Sequence, residues 1–183
     1  MATLLNKNAC IRKNIQCYME IKRDLYLNKL IRSMHNGMIK VVTGIRRCGK
    51  SYLLFNLFGD YLKAQGVDDE HIIKVDLEDR RNKNLRNPDA LLEYIDTRIA
   101  KGGMHYVMLD EVQWVDEFED VLNSYLKIPN VDVYVTGSNS KFLSSDVITE
   151  FRGRGDEIKV APLSFSEFFL SLRVHVRKRW KSI

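Results

Sequence analysis

The chain has 183 residues, 45% of them hydrophobic, which fits one domain with a buried core. Three cysteines, Cys10, Cys17 and Cys48, have no metal-binding spacing and cannot all pair, which excludes a disulfide framework and indicates a reducing, cytoplasmic setting. The N-terminal segment is interrupted by charges and no apolar run approaches the roughly 20 residues of a membrane span, so neither a signal peptide nor a membrane protein is expected.

The net charge of +5 is concentrated at the end of the sequence. Residues 171–183 hold five Lys and Arg and no acid, which leaves 24 basic and 24 acidic side chains in the first 170 residues. Because a neutral body offers no broad phosphate-binding face, nucleic acid is not indicated as a partner. Residues 171–183 are expected to form a solvated basic tail that need not be ordered.

The predicted elements begin with an amphipathic helix, because apolar residues recur at helical spacing from Tyr18 to Met34 before Asn36-Gly37. Residues 1–37 are therefore expected to be an N-terminal helical segment packed on a core of residues 38–170. In that core, strand patterns alternate with helical ones, and the polar residues 77–90 predict a surface loop. The strand patterns are MIKVVT, HIIKVDL, MHYVMLD, VDVYVTG and DEIKVAPL; the helical patterns are KSYLLFNLFGDYLKA, PDALLEYIDTRIA and DEFEDVLNSYLK. This alternation predicts an α/β three-layer sandwich, a mostly parallel sheet with helices on both faces.

The stretch GIRRCGKS, residues 44–51, fits the pattern G-x-x-x-x-G-K-[ST] between the predicted strand Met38–Thr43 and the predicted helix Lys50–Ala64. Two glycines let the backbone curl so that successive N–H groups face one point, where the helix N-terminus adds its positive dipole end. Lys50 can reach the β- and γ-phosphates of a nucleotide, and the Ser51 hydroxyl can bind Mg²⁺. The nucleotide-binding residues are thus predicted to be Gly44, Arg46, Arg47, Cys48, Gly49, Lys50, Ser51 and Tyr52.

The side chains of this loop are expected to contribute less to phosphate binding than its backbone. Arg46 and Arg47 are expected to face solvent or a partner, because the loop backbone makes the phosphate contacts. Cys48 is expected to fill a loop position, although an oxidation-sensitive thiol is the alternative.

Two carboxylates, Asp110 and Glu111, follow the apolar strand HYVML. Side chains at the carboxyl end of a parallel strand project into the crevice where ligands bind. Asp110 is predicted to hold Mg²⁺, and Glu111 is predicted to polarise the water that attacks the γ-phosphate. The alternative is an acidic strand cap. Trp114 is expected to anchor the following helix.

Later polar residues are weaker candidates. The strand VDVYVTG is followed by Ser138 and Asn139, which are predicted to contact the attacking water or the γ-phosphate; a plain turn with a helix cap is the alternative. Arg152 and Arg154, separated by a glycine, are predicted to offer a guanidinium to a phosphate, in cis or to a neighbouring subunit. A solvated loop arginine is the alternative for both.

The segments GIRRCGKSYLL, YVMLDEVQ, VYVTGSNS and FRGRGDEIKVAPLSFSEF, in this order, resemble the AAA+ P-loop ATPases of bacteria and archaea that carry a C-terminal nuclease-like domain. The resemblance runs from about Arg23 to Phe169. It implies a five-stranded sheet with the Asp110 strand between its neighbours, ATP or ADP and Mg²⁺ as ligands, and Arg154 in the position of the family's Gly-Arg motif.

Members of that family continue past the PLSF segment into long helical and C-terminal domains, whereas this sequence ends fourteen residues after Phe169. We therefore expect a truncated chain that lacks the nucleotide lid and a C-terminal region for self-association or a protein partner. Three functions remain open: a Mg²⁺-dependent ATPase, slow in isolation; a non-hydrolysing nucleotide switch or remnant; and a P-loop small-molecule kinase. A GTPase is disfavoured because the sequence has no Asn-Lys-x-Asp motif.

Overall fold

The computed structural model describes residues 21, 23–99, 102–137 and 154–169. The chain divides into two compact units, one formed by Arg23–Pro162 and the other by Met1–Lys22 together with Leu163–Ile183. In the described ranges no helix is both long enough and apolar enough to span a membrane.

The larger unit is built on five parallel strands, and their order in the sheet is β2-β3-β4-β1-β5. Every residue of β1 and β3 is buried, as expected for central strands covered on both faces. The strand that ends at Asp110 lies between two neighbours, as the family resemblance implied. The strands are β1 (Ile39–Thr43), β2 (Ile72–Asp76), β3 (His105–Asp110), β4 (Val131–Gly137) and β5 (Gly155–Lys159).

Helices cover both faces of the sheet and confirm the predicted three-layer α/β sandwich. The α-helices are α1 (Asp24–Arg32), α2 (Lys50–Tyr52), α3 (Gly59–Ala64), α4 (Pro88–Ile99) and α5 (Phe118–Tyr125). Side chains alternate across the strands, so that Val107 packs on one face with α4 and α5 while Met108 packs on the other with α1 and the helical residues 50–64. Two apolar cores therefore hold the sheet between the helix layers.

The predicted helix over residues 50–64 is helical throughout but is not uniformly α-helical. Leu53–Phe58 forms a π-helical segment between α2 and α3. The wider turn leaves the Phe55 carbonyl available to the ammonium group of Lys74, which donates a hydrogen bond to it. Gly59 makes room for this contact, because a Cβ there would lie only 2.5 Å from Lys74 Nζ.

Two other local predictions differ in detail from the structure. Helix α1 buries Tyr26 and Leu30, whereas Leu25, predicted on the apolar stripe, is 65% exposed. The predicted surface loop contains the 3₁₀ segment Arg80–Arg86, which Leu85 anchors by its burial. Residues 1–20 and 22 of the predicted N-terminal helical segment and the predicted basic tail, residues 171–183, lie outside the described residues.

The amino edge of the sheet holds a buried polar cluster. Lys40, fully buried on β1, donates a hydrogen bond to Asp132 at the start of β4. The other oxygen of Asp132 accepts the Tyr134 hydroxyl at 2.7 Å and the backbone N–H of His35 at 3.0 Å. This cluster, which we call the amino-edge cluster, pairs a buried ammonium with a buried carboxylate.

In the smaller unit, the described residues 163–169 contain the start of a helix. The Ser164 hydroxyl accepts the Glu167 N–H at 3.2 Å, and the Glu167 carboxylate accepts the Ser164 N–H at 2.7 Å. This reciprocal pair is a capping box, which fixes where the helix begins.

Candidate nucleotide-binding site

The loop between β1 and α2 adopts the backbone that its glycines permit. Gly44 and Gly49 have φ values of 151° and 93°, and Arg47 is also left-handed with a φ of 66°. A Cβ at Gly44 would lie 2.4 Å from the carbonyl oxygen of Val160, which follows β5. Gly44 is therefore required both by its conformation and by the close approach of a second backbone.

The backbone N–H groups of this loop are mostly unused. Of the five residues between Gly44 and Lys50, only Cys48 donates its N–H to another described residue, to the Ile45 carbonyl at 3.3 Å. A curled loop with spare N–H donors is the arrangement that binds phosphate oxygens.

Lys50 is buried beneath the loop, with an exposed fraction of 3%. Its ammonium donates to the carbonyls of Gly44 and Ile45 at 3.2 and 3.3 Å and lies 3.7 Å from a carboxylate oxygen of Glu111. The loop therefore holds a cation against its own carbonyls, where a phosphate could replace them as the partner.

Asp110 and Glu111 lie beside this loop at the carboxyl edge of the sheet, and Thr136 at the end of β4 joins them. The Thr136 hydroxyl donates to Asp110 Oδ1 at 2.5 Å and accepts the Glu111 N–H at 3.0 Å. Burial raises the pKa of Asp110 from its usual 3.8, Glu111 and Asp76 raise it further, and hydrogen bonds from Thr136 and Ser51 oppose the rise.

Glu111 has a left-handed backbone with a φ of 54°, which is uncommon for a residue with a side chain. Its carboxylate accepts the side-chain amide of Gln113 at 2.5 Å in addition to facing Lys50. The amide oxygen of Gln113 is buried and has no hydrogen-bond partner among the described residues. Among the contacts of the described residues, those of Gln113 and Lys50 orient the Glu111 carboxylate.

Of the other predicted residues of the loop, Arg46, Arg47 and Tyr52 are exposed, whereas Cys48 is buried. Arg46 is 72% exposed and its guanidinium bonds Glu78 at 2.7 Å, while Arg47 is also exposed. Cys48 is a buried free thiol. Tyr52 is 41% exposed. The predicted Ser51 lies at the start of α2, near Asp110.

Arg154 lies at the opposite edge of the sheet from the loop. Its carbonyl accepts the N–H of Ile39, the first residue of β1, whereas the loop follows Thr43 at the other end. Four residue steps of about 3.3 Å each separate these ends by roughly 13 Å. This position argues against the predicted contact in cis and leaves two predictions for Arg154, a contact with a neighbouring subunit and a solvated loop arginine. Ser138, Asn139 and Arg152 lie outside the described residues.

Sequence reasoning missed several contributors to this site. Asp76 at the end of β2 adds a third carboxylate near Asp110, and Gln113 orients Glu111. Arg23, which is not part of the motif, donates a hydrogen bond to the carbonyl of Cys48 in the loop. The position of Asp76 at the end of a predicted strand could have indicated that it lies in the site. No sequence pattern indicates the contact that Arg23 makes with the loop. Trp114 is half exposed, and the Arg86 guanidinium lies 4.3 Å from its ring centroid; its role as an anchor of the following helix stays a prediction.

The residues present fit a nucleotide with Mg²⁺. Within the described ranges no three His, Cys, Asp or Glu side chains are grouped so as to hold a metal ion by themselves. Ser51 and Asp110 supply a hydroxyl and a carboxylate, the oxygen ligands that Mg²⁺ takes together with substrate phosphates. The spare N–H groups of the loop suit those phosphates.

Residues 36–169 match the family described as AAA domain. This chain belongs to that family. Uncharacterized proteins of Haemophilus influenzae and Methanocaldococcus jannaschii are 34% and 33% identical to it, over 87% and 89% of this chain. The chain spans only 40% and 34% of their lengths.

Solved structures share the fold of this AAA domain. The Walker-type ATPase PABY2304 of Pyrococcus abyssi matches 87% of this chain and 59% of its own, with a TM-score of 0.62 and 20% identity. AMPPCP-bound DnaA from Aquifex aeolicus matches 83% of this chain and 49% of its own, with a TM-score of 0.54 and 13% identity. At these identities the likeness supports the P-loop AAA+ fold.

Proposed function

We propose that this AAA domain binds ATP with Mg²⁺ and hydrolyses it to ADP and phosphate, slowly in isolation. The observation that carries the proposal is the convergence of Lys50, Asp110 and Glu111 beneath a loop with spare N–H donors. A loop of this kind binds phosphates, and a cation beside it strengthens that binding. The DnaA structure of the same fold holds AMPPCP, a ligand of the proposed class.

The proposed binding step uses the loop backbone and Lys50. The spare N–H groups would donate hydrogen bonds to the phosphate oxygens, and the Lys50 ammonium would exchange its two backbone carbonyl partners for those oxygens. Ser51 and Asp110 would hold Mg²⁺, which neutralises phosphate charge when bound. Burial raises the pKa of Asp110, and a nearby cation would oppose that rise by stabilising the carboxylate.

The proposed hydrolytic step uses Glu111. Its carboxylate is held by Gln113 and faces Lys50, and its backbone is fixed through Thr136. In this position it would accept a proton from, or orient, the attacking water. Ser138 and Asn139 are proposed to contact that water or the γ-phosphate.

The deciding experiment measures ATP turnover and ADP affinity for the wild type and for Glu111→Gln. We expect turnover to fall by about 10²–10⁴-fold while ADP affinity stays within about two-fold, because general-base catalysis is lost and the loop is retained. Glu93→Gln, an exposed carboxylate on α4, is the matched control and should behave as the wild type. Unchanged turnover in Glu111→Gln would remove Glu111 from the reaction.

One observation favours a second candidate, a nucleotide-dependent switch that does not hydrolyse. The Glu111 carboxylate is contacted by both Gln113 and Lys50, so an attacking water would compete with these side chains for its oxygens. ATP binding to the wild type without any release of phosphate in the same assay would establish the switch.

Arg154 is proposed to act on the site of a neighbouring copy, since it lies at the opposite edge from its own phosphate loop. An arginine supplied in this way raises phosphoryl-transfer rates by about 10³–10⁵-fold. Turnover per subunit should then rise with protein concentration, and Arg154→Ala should abolish the rise. A rate independent of concentration in both proteins would exclude the shared site.

A further inference from the structure

A buried arginine outside the P-loop motif holds the phosphate loop. Arg23 immediately precedes α1 and is 4% exposed. Its Nη1 donates to the carbonyl of Cys48 and its Nη2 to the carbonyl of Ala161, both at 2.7 Å. The guanidinium also lies 4.5 Å from the ring centroid of Tyr26, whose hydroxyl accepts the Ala161 N–H at 3.1 Å.

These contacts join three parts of the chain that are distant in sequence. Cys48 belongs to the phosphate loop, Ala161 follows β5, and Arg23 lies 25 and 138 residues from them. A guanidinium is planar and its donors have a fixed geometry, so two simultaneous bonds fix its plane. The direction of the Cys48 carbonyl is fixed with it.

The direction of that carbonyl determines where the next N–H points. The described chain has no cis peptide bond, and in a trans peptide the C=O and N–H point in opposite directions. Because the Cys48 carbonyl faces Arg23, the Gly49 N–H faces the other side of the loop. This N–H donates to no described residue.

We propose that Arg23 is a positioning residue for phosphate binding, which orients the Cys48–Gly49 peptide so that the Gly49 N–H is presented to a nucleotide phosphate. The inference rests on the proposed function and adds to it a residue outside the motif. A lysine at position 23 would keep the charge but lacks the rigid fork that holds both carbonyls at once.

The first test compares ADP affinity by calorimetry for the wild type, Arg23→Lys and Tyr26→Phe, with thermal melts recorded without nucleotide. Arg23→Lys should weaken ADP binding by about ten-fold or more, since a hydrogen bond to a charged phosphate is lost. Tyr26→Phe removes the hydroxyl contact to Ala161 but leaves the bond from Arg23 to Cys48, so its affinity should stay within about two-fold. A purely structural role would lower the melting temperature of both variants and leave both affinities unchanged.

The second test needs no variant. In wild-type protein labelled with ¹⁵N-glycine, ADP should move the Gly49 amide proton downfield, whereas the amide of Gly66, at the end of α3, should not move. This measurement keeps the inference testable even if Arg23→Lys fails to fold.

The outcomes separate this inference from the function on which it rests. ADP binding that is about ten-fold weaker or more in Arg23→Lys, together with a shift of the Gly49 amide, supports it. ADP binding that Lys50→Ala abolishes but Arg23→Lys retains, or an unmoved Gly49 amide in the ADP complex, overturns the role of Arg23 alone. A wild type that binds neither ADP nor ATP overturns both.

Discussion

The two edges of the sheet each contain a buried lysine near a buried carboxylate. The edges differ in whether these two groups form a hydrogen bond with each other. At the amino edge, Lys40 and Asp132 bond each other, and Tyr134 and His35 occupy the second carboxylate oxygen. At the carboxyl edge, Lys50 is 3.7 Å from Glu111 and its hydrogen bonds go to loop carbonyls.

Backbone conformation separates the edges less sharply, because His35 in the amino-edge cluster also has a positive φ, of 58°. The carboxyl edge contains Gly44, Arg47, Gly49 and Glu111 with positive φ, and loop N–H groups that have no described acceptor. The strand residues of the amino-edge cluster lie within regular β-structure. Buried charge alone therefore does not mark a site. Buried charge with spare donors on a strained backbone does, because these features serve a ligand rather than the fold.

The largest expected effect is on stability at the amino edge. Lys40→Met should lower the free energy of unfolding by about 3–5 kcal/mol, because it leaves Asp132 as a buried carboxylate without its cation. Burial and Asp132 raise the pKa of the Tyr134 phenol, which therefore stays protonated and cannot replace the cation. Urea denaturation measures the loss. ADP affinity of the folded protein should stay within about two-fold, and a larger change would connect the two edges.

The same substitution at the carboxyl edge should affect ATP affinity more than the free energy of unfolding. Lys50→Met should weaken ATP binding by about 1.5–3 kcal/mol, the value of a hydrogen bond to a charged group. It should destabilise the fold less than Lys40→Met, since Glu111 keeps its bond from Gln113. Calorimetry with Mg²⁺ and urea denaturation of both variants give the comparison. Equal ATP affinity in Lys50→Met and wild type would contradict the phosphate-loop assignment.

The smallest expected effect is on the free energy of unfolding, and it distinguishes Asp110 at the carboxyl edge from Asp132 at the amino edge. Asp110→Asn should raise the free energy of unfolding by about 1 kcal/mol at neutral pH while removing the Mg²⁺ dependence of ATP binding. The folded pKa of Asp110 is raised above 3.8, so ionisation destabilises the folded state. The gain should therefore be absent at pH values below 3.8, develop above it and be complete above the raised pKa.

Asp132→Asn is the matched control for this change. It should lower stability, because Lys40 would lose the charge that its burial requires. Unfolding free energies measured across pH 3–8 for both variants test the contrast. Two variants that change stability in the same direction would show that the edges do not differ as described.

The parts of this molecule that sequence could predict are those set by local pattern. The phosphate loop is a contiguous motif between a strand and a helix, and Asp110-Glu111 ends a continuous apolar run, so both were found. Contacts across 25 to 138 residues, such as those of Arg23, leave no periodic signal. The bond between Lys40 and Asp132 spans 92 residues and was missed for the same reason.

Other differences came from competition between local preference and tertiary contact. The sequence between Lys50 and Ala64 favours a regular α-helix, but Leu53–Phe58 is π-helical, and its Phe55 carbonyl accepts a hydrogen bond from Lys74. Arg154 was placed near phosphates by its glycine-flanked sequence, whereas the register of β1 and β5 puts it at the far edge. Strand order and register depend on the whole sheet, which a single segment does not encode.

The crowding of Gly44 against Val160 affects how relatives of this domain should be compared. A descendant that abandoned nucleotides would still have no space for a larger residue at position 44, because the constraint comes from the neighbouring backbone. Selection for folding alone would therefore retain the first glycine of the motif. Lys50 and Ser51 have internal hydrogen bonds but carry side chains, so no steric clash with a neighbouring backbone fixes their identity. Their loss, rather than that of Gly44, would be the clearer mark of a lineage that had given up the ligand.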